Sequence, residues 1–401
     1  MKNEEMAIRD ISELSKGKSA VLGLQHLFTM FGATVLVPII TGLNISVALF
    51  MAGAGTLLFH VVTKGKIPVF LGSSFAFIAP MLAVTQLTNI QYAQGGIVVA
   101  GLVYLLLAGL IYFFGAEKII SFFPPVVTGS IIMVIGLKLA PIAIKMAKDN
   151  WTLAIVSFAI VAIVSVYMKG FIKVLPVVFG LLGGYLLALL TGVVDFTPIA
   201  EAGWIGVPSF TIARFSWTTV MMIAPVAIAT SVEHIGDVLA IRGITGDDYL
   251  ENPGLHRTML GDGLATALSA MFGGPANTTY SENTGVLALT KVYDPKVMQI
   301  AACFAILLAV IPKLGAILTT IPTPVVGGIS IILFGMIAAI GGKIFVENKV
   351  DFMKSRNLII TAVILVLGIG GASLQITTNF SIDGMALAAI IGIILNKVLP
   401  E

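Results

Sequence analysis

From Val21 to Leu399 the chain is a succession of apolar runs, each bounded by charge or by Gly and Pro clusters. They fall near 21–43, 45–63, 68–87, 95–115, 119–144, 151–168, 172–192, 218–241, 258–273, 278–290, 297–318, 323–342, 357–373 and 383–399. A bilayer crossing takes about 20 such residues. Hydrocarbon offers no partner to a backbone N–H or C=O, so the runs fold as helices, or as irregular backbone enclosed in protein. Only 11% of the 401 residues are charged, against about 25% in a soluble domain. The expected fold is an all-α polytopic membrane protein with fourteen segments, several short or broken. The net charge of +3 suggests no nucleic-acid partner, and the single Cys303 excludes an internal disulfide. Residues 1–19 are polar and mixed in charge, so the first run is expected to act as its own insertion signal.

Charge sets the orientation. With the N-terminus in the cytoplasm, eighteen of the 23 basic residues fall on inside segments and only Lys138, Lys145, Lys148, Arg214 and Lys313 outside. That bias predicts cytoplasmic N- and C-termini. The halves also echo each other: P-V-V-T-G-S-I-I-M-V-I-G at Pro125–Gly136 aligns without a gap on P-V-V-G-G-I-S-I-I-L-F-G at Pro324–Gly335. These are segments five and twelve, and seven segments per half turn the second copy upside down, as in the inverted repeats of secondary transporters. A transporter therefore leads over a membrane enzyme.

The same offset pairs segment three with segment ten. I-P-V-F-L-G-S-S-F-A-F (Ile67–Phe77) and G-G-P-A-N-T-T-Y-S-E-N (Gly273–Asn283) each carry a Pro near the boundary and then small, hydroxyl and aromatic residues. Polar or extended backbone at membrane depth is tolerated only inside protein or along a cavity. Both are predicted to be half extended and half helical, meeting back to back at a binding site.

Four acids fall inside the apolar runs: Glu233, Asp237, Asp262 and Glu282. A charge near the bilayer centre costs about 2.5–3.5 kcal/mol on insertion scales, so each needs a partner, a wet cavity or a proton. Glu233 and Asp237 are four apart and share one helix face. Two carboxyls that close, away from bulk water, favour sharing a proton, which is what a proton-coupled carrier requires. The structural alternative is that His234 or a hydroxyl pairs with one acid and steadies the helix. Asp262 lies near the start of its run and is expected to be interfacial and structural. His26 falls early in segment one, as a satisfied buried histidine or a supporting group. Phe75, aligned opposite Glu282, offers a face suited to a planar heterocycle.

The run E-N-T-G-V-L-A-L-T-K (Glu282–Lys291) fits the signature of the nucleobase-ascorbate transporter family: an acid or amide, Asn, one residue, Gly, four residues, Thr, then a basic residue or Gly. With Q-H-L-F-T-M-F-G-A-T-V-L-V-P (Gln25–Pro38), K-G-K-I-P-V-F-L-G-S-S-F-A-F (Lys64–Phe77) and N-P-G-L-H-R (Asn252–Arg257), the chain resembles the bacterial uracil permease branch of that family over nearly its whole length. The resemblance implies two inverted seven-segment halves. A core domain would comprise residues 1–115 and 216–318, and a gate domain residues 116–215 and 319–401. It also implies a homodimer joined through the gates, in the bacterial cytoplasmic (inner) membrane, and uracil import by proton symport as the core slides against the gate. Glu233 and Glu282 would hold the pyrimidine. Phe75 and Ser281 would supply backbone N–H groups, Ala33 would line the pocket, and His26, Asn283 and Tyr280 would support it. Asp237 would share the proton with Glu233.

Two positions depart from the branch: Asp237 stands where His is frequent, and Ser281 where Gly is familiar. Asp237 leaves a xanthine or urate carrier as the alternative, whereas Glu282 is the pyrimidine-type choice. No cofactor is expected. The coupling ion is expected to be H+, although carboxylates and carbonyls suit Na+ as well. An intramembrane aspartyl protease would need Gly-x-Gly-Asp, and the windows around Asp237 and Asp262 read H-I-G-D and M-L-G-D. A zinc hydrolase would need a second His at ligand spacing from His234, which is missing. A passive channel shares the repeat and the broken segments.

Overall fold

The computed structural model describes residues 7–377 and 380–400, apart from the side chains of Ser281 and of residues 376, 377, 380, 381 and 383. The principal helices are α1 (Lys16–Thr41), α2 (Ile45–Val62), α3 (Ile78–Leu87), α4 (Ile90–Phe114), α5 (Pro125–Ala147), α6 (Trp151–Tyr167), α7 (Pro176–Leu190), α8 (Val226–Thr245), α9 (Leu255–Met271), α10 (Ser281–Thr290), α11 (Lys296–Ala309), α12 (Thr323–Glu347), α13 (Ser355–Ile369) and α14 (Gly384–Val398). Their starts follow from local chemistry. Side-chain oxygens of Ser15, Asn44, Asn89 and Asn150 accept from the first-turn N–H groups of α1, α2, α4 and α6. Pro125 and Pro176 stand at the head of α5 and α7, where a missing N–H costs nothing.

Among the described residues, six helical stretches are long and apolar enough to cross a membrane: α1, α2, α4, α5, α12 and Trp217–Thr245, which includes α8. A seventh arises if α11 and the short helix Pro312–Thr319 count as one span bent by 81°. The remaining apolar helices have 10–17 residues. Segment eight is not one continuous helix: Trp217–Ile223 precedes α8, and the helix restarts after Ala224 and Pro225. Between α13 and α14, residues Ser373–Thr377 and Phe380–Asp383 pair as an antiparallel hairpin.

The most extensive packing falls into two groups. In one, α2 packs on α9 and α11, α4 on α9, and α1 on α11; in the other, α5 packs on α12 and α13, α12 on α6 and α7, and α13 on α14. Close approach rests on glycine. A Cβ at Gly129 would meet the carbonyl of Gly341, and one at Gly341 the carbonyl of Gly129, while Gly136 faces Phe334 and Ala338. Rising numbers on α5 therefore meet falling numbers on α12, so the two helices with matching sequence lie antiparallel against each other. Gly101 and Gly263 bring α4 and α9 together in the same way.

The two irregular segments meet as the sequence predicts. Strands β1 (Leu71–Ser73) and β2 (Asn277–Thr279) pair antiparallel, with Leu71 opposite Thr279 and Ser73 opposite Asn277. Ser74 N–H to Ala276 C=O (2.8 Å) and Tyr280 N–H to Phe70 C=O (3.2 Å) extend the ladder. Buried hydroxyls and amides complete its hydrogen bonding. Thr56 Oγ1 accepts from Leu71 N–H at 2.9 Å, Thr266 Oγ1 donates to Asn277 C=O at 2.6 Å, and Asn277 Nδ2 donates to Met51 C=O at 3.0 Å. His60 Nε2 lies 3.0 Å from Val69 C=O. Extended backbone is tolerated here because neighbouring strand, hydroxyl and amide groups take the place of water as its hydrogen-bond partners.

Candidate functional site

Each strand runs directly into a helix. After β1 the chain enters a single turn at Phe75–Phe77 and then α3; after β2 and Tyr280 it enters α10, with Glu282 in the first turn. Neither start has a side-chain cap, since the N-cap residues Ser74 and Tyr280 make no such bond. Two sets of first-turn N–H groups thus converge on either side of one short strand pair, a favourable place for carbonyl oxygen or negative charge. Ser281 opens α10, but its side chain lies outside the described residues.

In front of these helix starts lies a cavity of about 330 Å³, lined by Thr29 and Ala33 from α1, by Phe75, and by Glu282 and Gly285 from α10; Leu333 and Met336 of α12 and Val177 of α7 face them. Phe75 is held edge-on to Phe334 of α12, ring centroids 5.8 Å apart. A larger cavity of about 860 Å³ shares Gly285 and Ile340 with the first, reaches Asp237, and continues between α5, α8 and α12 to Lys343, Glu347 and Asn348. Both are of a size that encloses small ligands.

Glu233 stands on α8 within electrostatic range of Glu282 and Asp237, so three carboxyl groups from two elements share one region. One oxygen of Glu233 is buried without a hydrogen-bond partner. Asp237 is differently placed: Thr279 Oγ1 donates to its Oδ2 at 2.7 Å, tying α8 to β2. Asp262, expected to be interfacial and structural, lies well inside its helix and is enclosed by protein. It is fully buried, with His234 Nδ1 3.1 Å from its Oδ2 and His234 Nε2 3.1 Å from Thr258 Oγ1. Its helix begins at Leu255, seven residues earlier, which carries Asp262 two turns inward. Of the structural alternative, the hydroxyl pairing occurs, at Asp237, whereas His234 turns to Asp262 rather than to an acid of its own helix. Glu233 Oε2 and Asp262 Oδ1 are both buried without a hydrogen-bond partner.

The supporting residues bond the site elements to one another. Asn283 Nδ2 lies 3.2 Å from His26 Nδ1 and donates to His26 C=O at 3.3 Å, joining α10 to α1. Tyr280 donates to Ser73 C=O at 2.9 Å and packs against Gly72, where a side chain would overlap its ring. His26 is thus a buried histidine partnered from the helix that carries Glu282.

Residues 17–377 match the profile of the Permease family. The chain belongs to that family. The permease is 45% identical over 396 residues to a probable uracil permease of Haemophilus influenzae, covering 96% of this chain and 95% of that one. To uracil permeases of Bacillus caldolyticus and Bacillus subtilis it is 46% and 43% identical, covering 96% and 100% of this chain and 92% and 96% of theirs. Its fold is similar to the transmembrane domain of a cyanobacterium bicarbonate transporter (TM-score 0.67, 14% identity, 96% of this chain and 99% of that one). It is also similar to murine Solute Carrier 26 family member A9, an anion transporter (TM-score 0.71, 11% identity, 96% and 68%). The permease is a multi-pass membrane protein and not an enzyme, which removes the protease and hydrolase readings.

Of the residues singled out in the sequence, Glu282, Phe75 and Ala33 line one cavity, Asp237 lines the other, and Glu233 lies within electrostatic range of both acids. His26, Asn283 and Tyr280 stand behind them. Two groups escaped the sequence reading. Thr279 looked like one more small polar residue of an extended stretch. Tyr104 of α4, in an apolar run with no signal of its own, is fully buried with its phenol among Thr230, Ser231, Glu233 and Asp262.

Proposed function

We propose that the permease imports uracil across the bacterial cytoplasmic membrane by symport with protons. The observation that carries this reading is the pairing of a carboxylate, Glu282, with two uncapped helix starts around one cavity. Uracil alternates N–H donors with carbonyl acceptors along its edges. Carboxylates accept from the former, backbone N–H groups at the Phe75–Phe77 turn and at the start of α10 donate to the latter, and the Phe75 ring lies against the heterocycle. Fixed polar groups in an otherwise apolar pocket discriminate strongly, because a ligand without the complement leaves them unpaired. Glu233, with its unpartnered oxygen, is the proton carrier. Asp237 shares that proton through the carboxyl cluster while Thr279 holds it in place. Proton and substrate then favour each other's binding by the same factor.

Movement follows from the interface. Phe75, α1 and Glu282, whose helix α10 packs on α1, lie with the group of helices built on α2, α4, α9 and α11, whereas Leu333, Met336 and Val177 belong to the group built on α12; α8, with Glu233 and Asp237, packs on α4 and α10 and also on α5 and α14. A site split between two packed groups is exposed to either side when one slides along the other, the elevator-like motion of core against gate. The remaining elements of the reading are fourteen segments in two inverted halves, a homodimer through the gates, and cytoplasmic termini. The matched motifs on antiparallel α5 and α12, and the bias of basic residues, support the inversion and the orientation. Glu282, the pyrimidine-type choice, favours uracil, while Asp237 keeps a xanthine or urate carrier as the alternative reading.

The deciding experiment is uptake of labelled uracil into proteoliposomes holding the purified protein, with an inward proton gradient, an inward sodium gradient or none, and with excess xanthine as competitor. Accumulation that needs the proton gradient and ignores xanthine is expected. Block by xanthine would make this a purine carrier, a sodium requirement would change the coupling ion, and equilibration without accumulation would make it a facilitator or channel.

A further inference from the structure

The segment ahead of α1 takes no part in the transport reading, yet it is among the most heavily bonded stretches outside the helices. Ile8 N–H donates to Lys291 C=O at 2.9 Å, and Tyr293 N–H donates to Ile8 C=O at 2.8 Å. Ile11 N–H donates to Asp294 Oδ2 at 2.8 Å, and Lys296 Nζ reaches Asp10 at 3.4 Å. Beneath these bonds Ile11, Val292 and Val297 form a buried cluster, with Ile8, Leu14 and Ile300 packed on it. Together they fix the segment to the turn between α10 and α11.

Arg9 reaches the other way. Its Nη1 pairs with Asp247, just beyond the end of α8, and its Nη2 donates to Thr245 C=O at 2.6 Å. Thr245 is the last residue of α8, and its carbonyl is one of those a helix leaves without an internal donor. A cation there also opposes the negative end of the helix dipole. The guanidinium lies 5.8 Å from the ring centroid of Tyr293, in the turn that follows α10, and Tyr249 donates to the same Asp247 carboxylate at 3.3 Å. One short strap therefore touches the C-terminal end of the helix that carries Glu233 and Asp237, and the C-terminal end of the helix that carries Glu282.

We infer that Arg9 is a positioning residue for the transport site: through the strap it clamps the ends of α8 and α10 to each other and so holds the three carboxyl groups at their binding distance. This rests on the uracil reading above for the identity of the ligand, and on geometry alone for the clamp. The lever is short. α10 has ten residues, about 15 Å at 1.5 Å per residue, so displacement of its free end tilts the helix about the first turn, where Glu282 stands. With the clamp released, the arrangement that binds substrate is populated for a smaller fraction of the time, and apparent affinity falls by that fraction while turnover of bound substrate is retained.

The test uses the full chain with Arg9→Ala, Asp247→Asn and the double variant, read two ways. In proteoliposomes, Arg9→Ala is expected to raise the uracil KM about three- to fivefold, the range open to an exposed ion pair with one further hydrogen bond, with Vmax changed less than about twofold. Asp247→Asn should do the same to a smaller degree, and the double variant should be no worse than Arg9→Ala alone. Amide hydrogen exchange of the same proteins, without substrate, should be faster in Arg9→Ala at residues 243–247 and 288–293 and unchanged at 71–73 and 277–279. An unchanged KM, strictly additive effects, or unchanged exchange at both helix ends would each overturn the inference. If the unaltered protein fails to carry uracil, the transport reading falls, and the exchange measurement still decides whether Arg9 joins the two helices.

Discussion

Asn283 offers the sharpest test of the site because the contacts of its side chain are few and identifiable. In Asn283→Ala, α10 loses both bonds to α1, at 3.2 and 3.3 Å, and the Nδ1 of a fully buried His26 loses its partner. His26 Nε2 already has none, so the imidazole would be left without any hydrogen bond. A net hydrogen bond contributes about 1 kcal/mol, and a buried group left unpaired costs about 1–3 kcal/mol, so the local arrangement should weaken by about 2–4 kcal/mol. Asn283 directly follows Glu282, and the weakening falls on the turn that presents the carboxylate. The expected result is a uracil KM raised about tenfold or more, each factor of ten corresponding to about 1.4 kcal/mol.

His26→Leu keeps volume and removes only the side-chain bond, since Asn283 can still donate to the residue-26 carbonyl. Its effect should therefore be smaller. In the double variant the two changes should not add, with a coupling of about 1 kcal/mol for the one bond they share. The assay is initial-rate uptake at saturating proton gradient across the four proteins, with fluorescence-detected thermal unfolding to show that each is folded. A coupling below about 0.3 kcal/mol, the scatter of independent sites, would refute the claim that these two side chains hold α10 on α1.

Three further outcomes are expected. Glu233→Gln should bind uracil but lose proton-driven accumulation, measured as the ratio of internal to external label across external pH; accumulation with an unchanged pH dependence would remove Glu233 from coupling. Glu282→Gln presents an amide donor where the ligand also donates, and should lower the initial rate of uracil uptake about a hundredfold, a loss of about 2.7 kcal/mol. An undiminished rate would place the pyrimidine elsewhere. Gly72→Ala sets a methyl against the Tyr280 ring and the Thr34 hydroxyl, and should destabilise the strand pair by about 1–3 kcal/mol, seen as a lower unfolding temperature.

The sequence by itself settles the solvent and the exceptions to it. Continuous apolar runs require a membrane, and in hydrocarbon each departure from an apolar helix stands out. That is why Ile67–Phe77, Gly273–Asn283 and the acids at 233, 237, 262 and 282 are legible from the sequence alone. The same logic paired β1 with β2, since two extended stretches inside a membrane have only each other and nearby hydroxyls to bond. What the sequence left open is which acid is satisfied by the protein. Asp237 is bonded by Thr279, 42 positions away, and Asp262 by His234, which looked like a neighbour of Glu233 and turns instead toward α9. Arg9 and Asp247, 238 positions apart, carry ordinary surface residue types whose joint effect exists only once α8 and α10 end at the same height. Apolar periodicity reports burial along one helix. The pairing of polar groups between helices depends on their height and rotation relative to one another, and packing alone sets those.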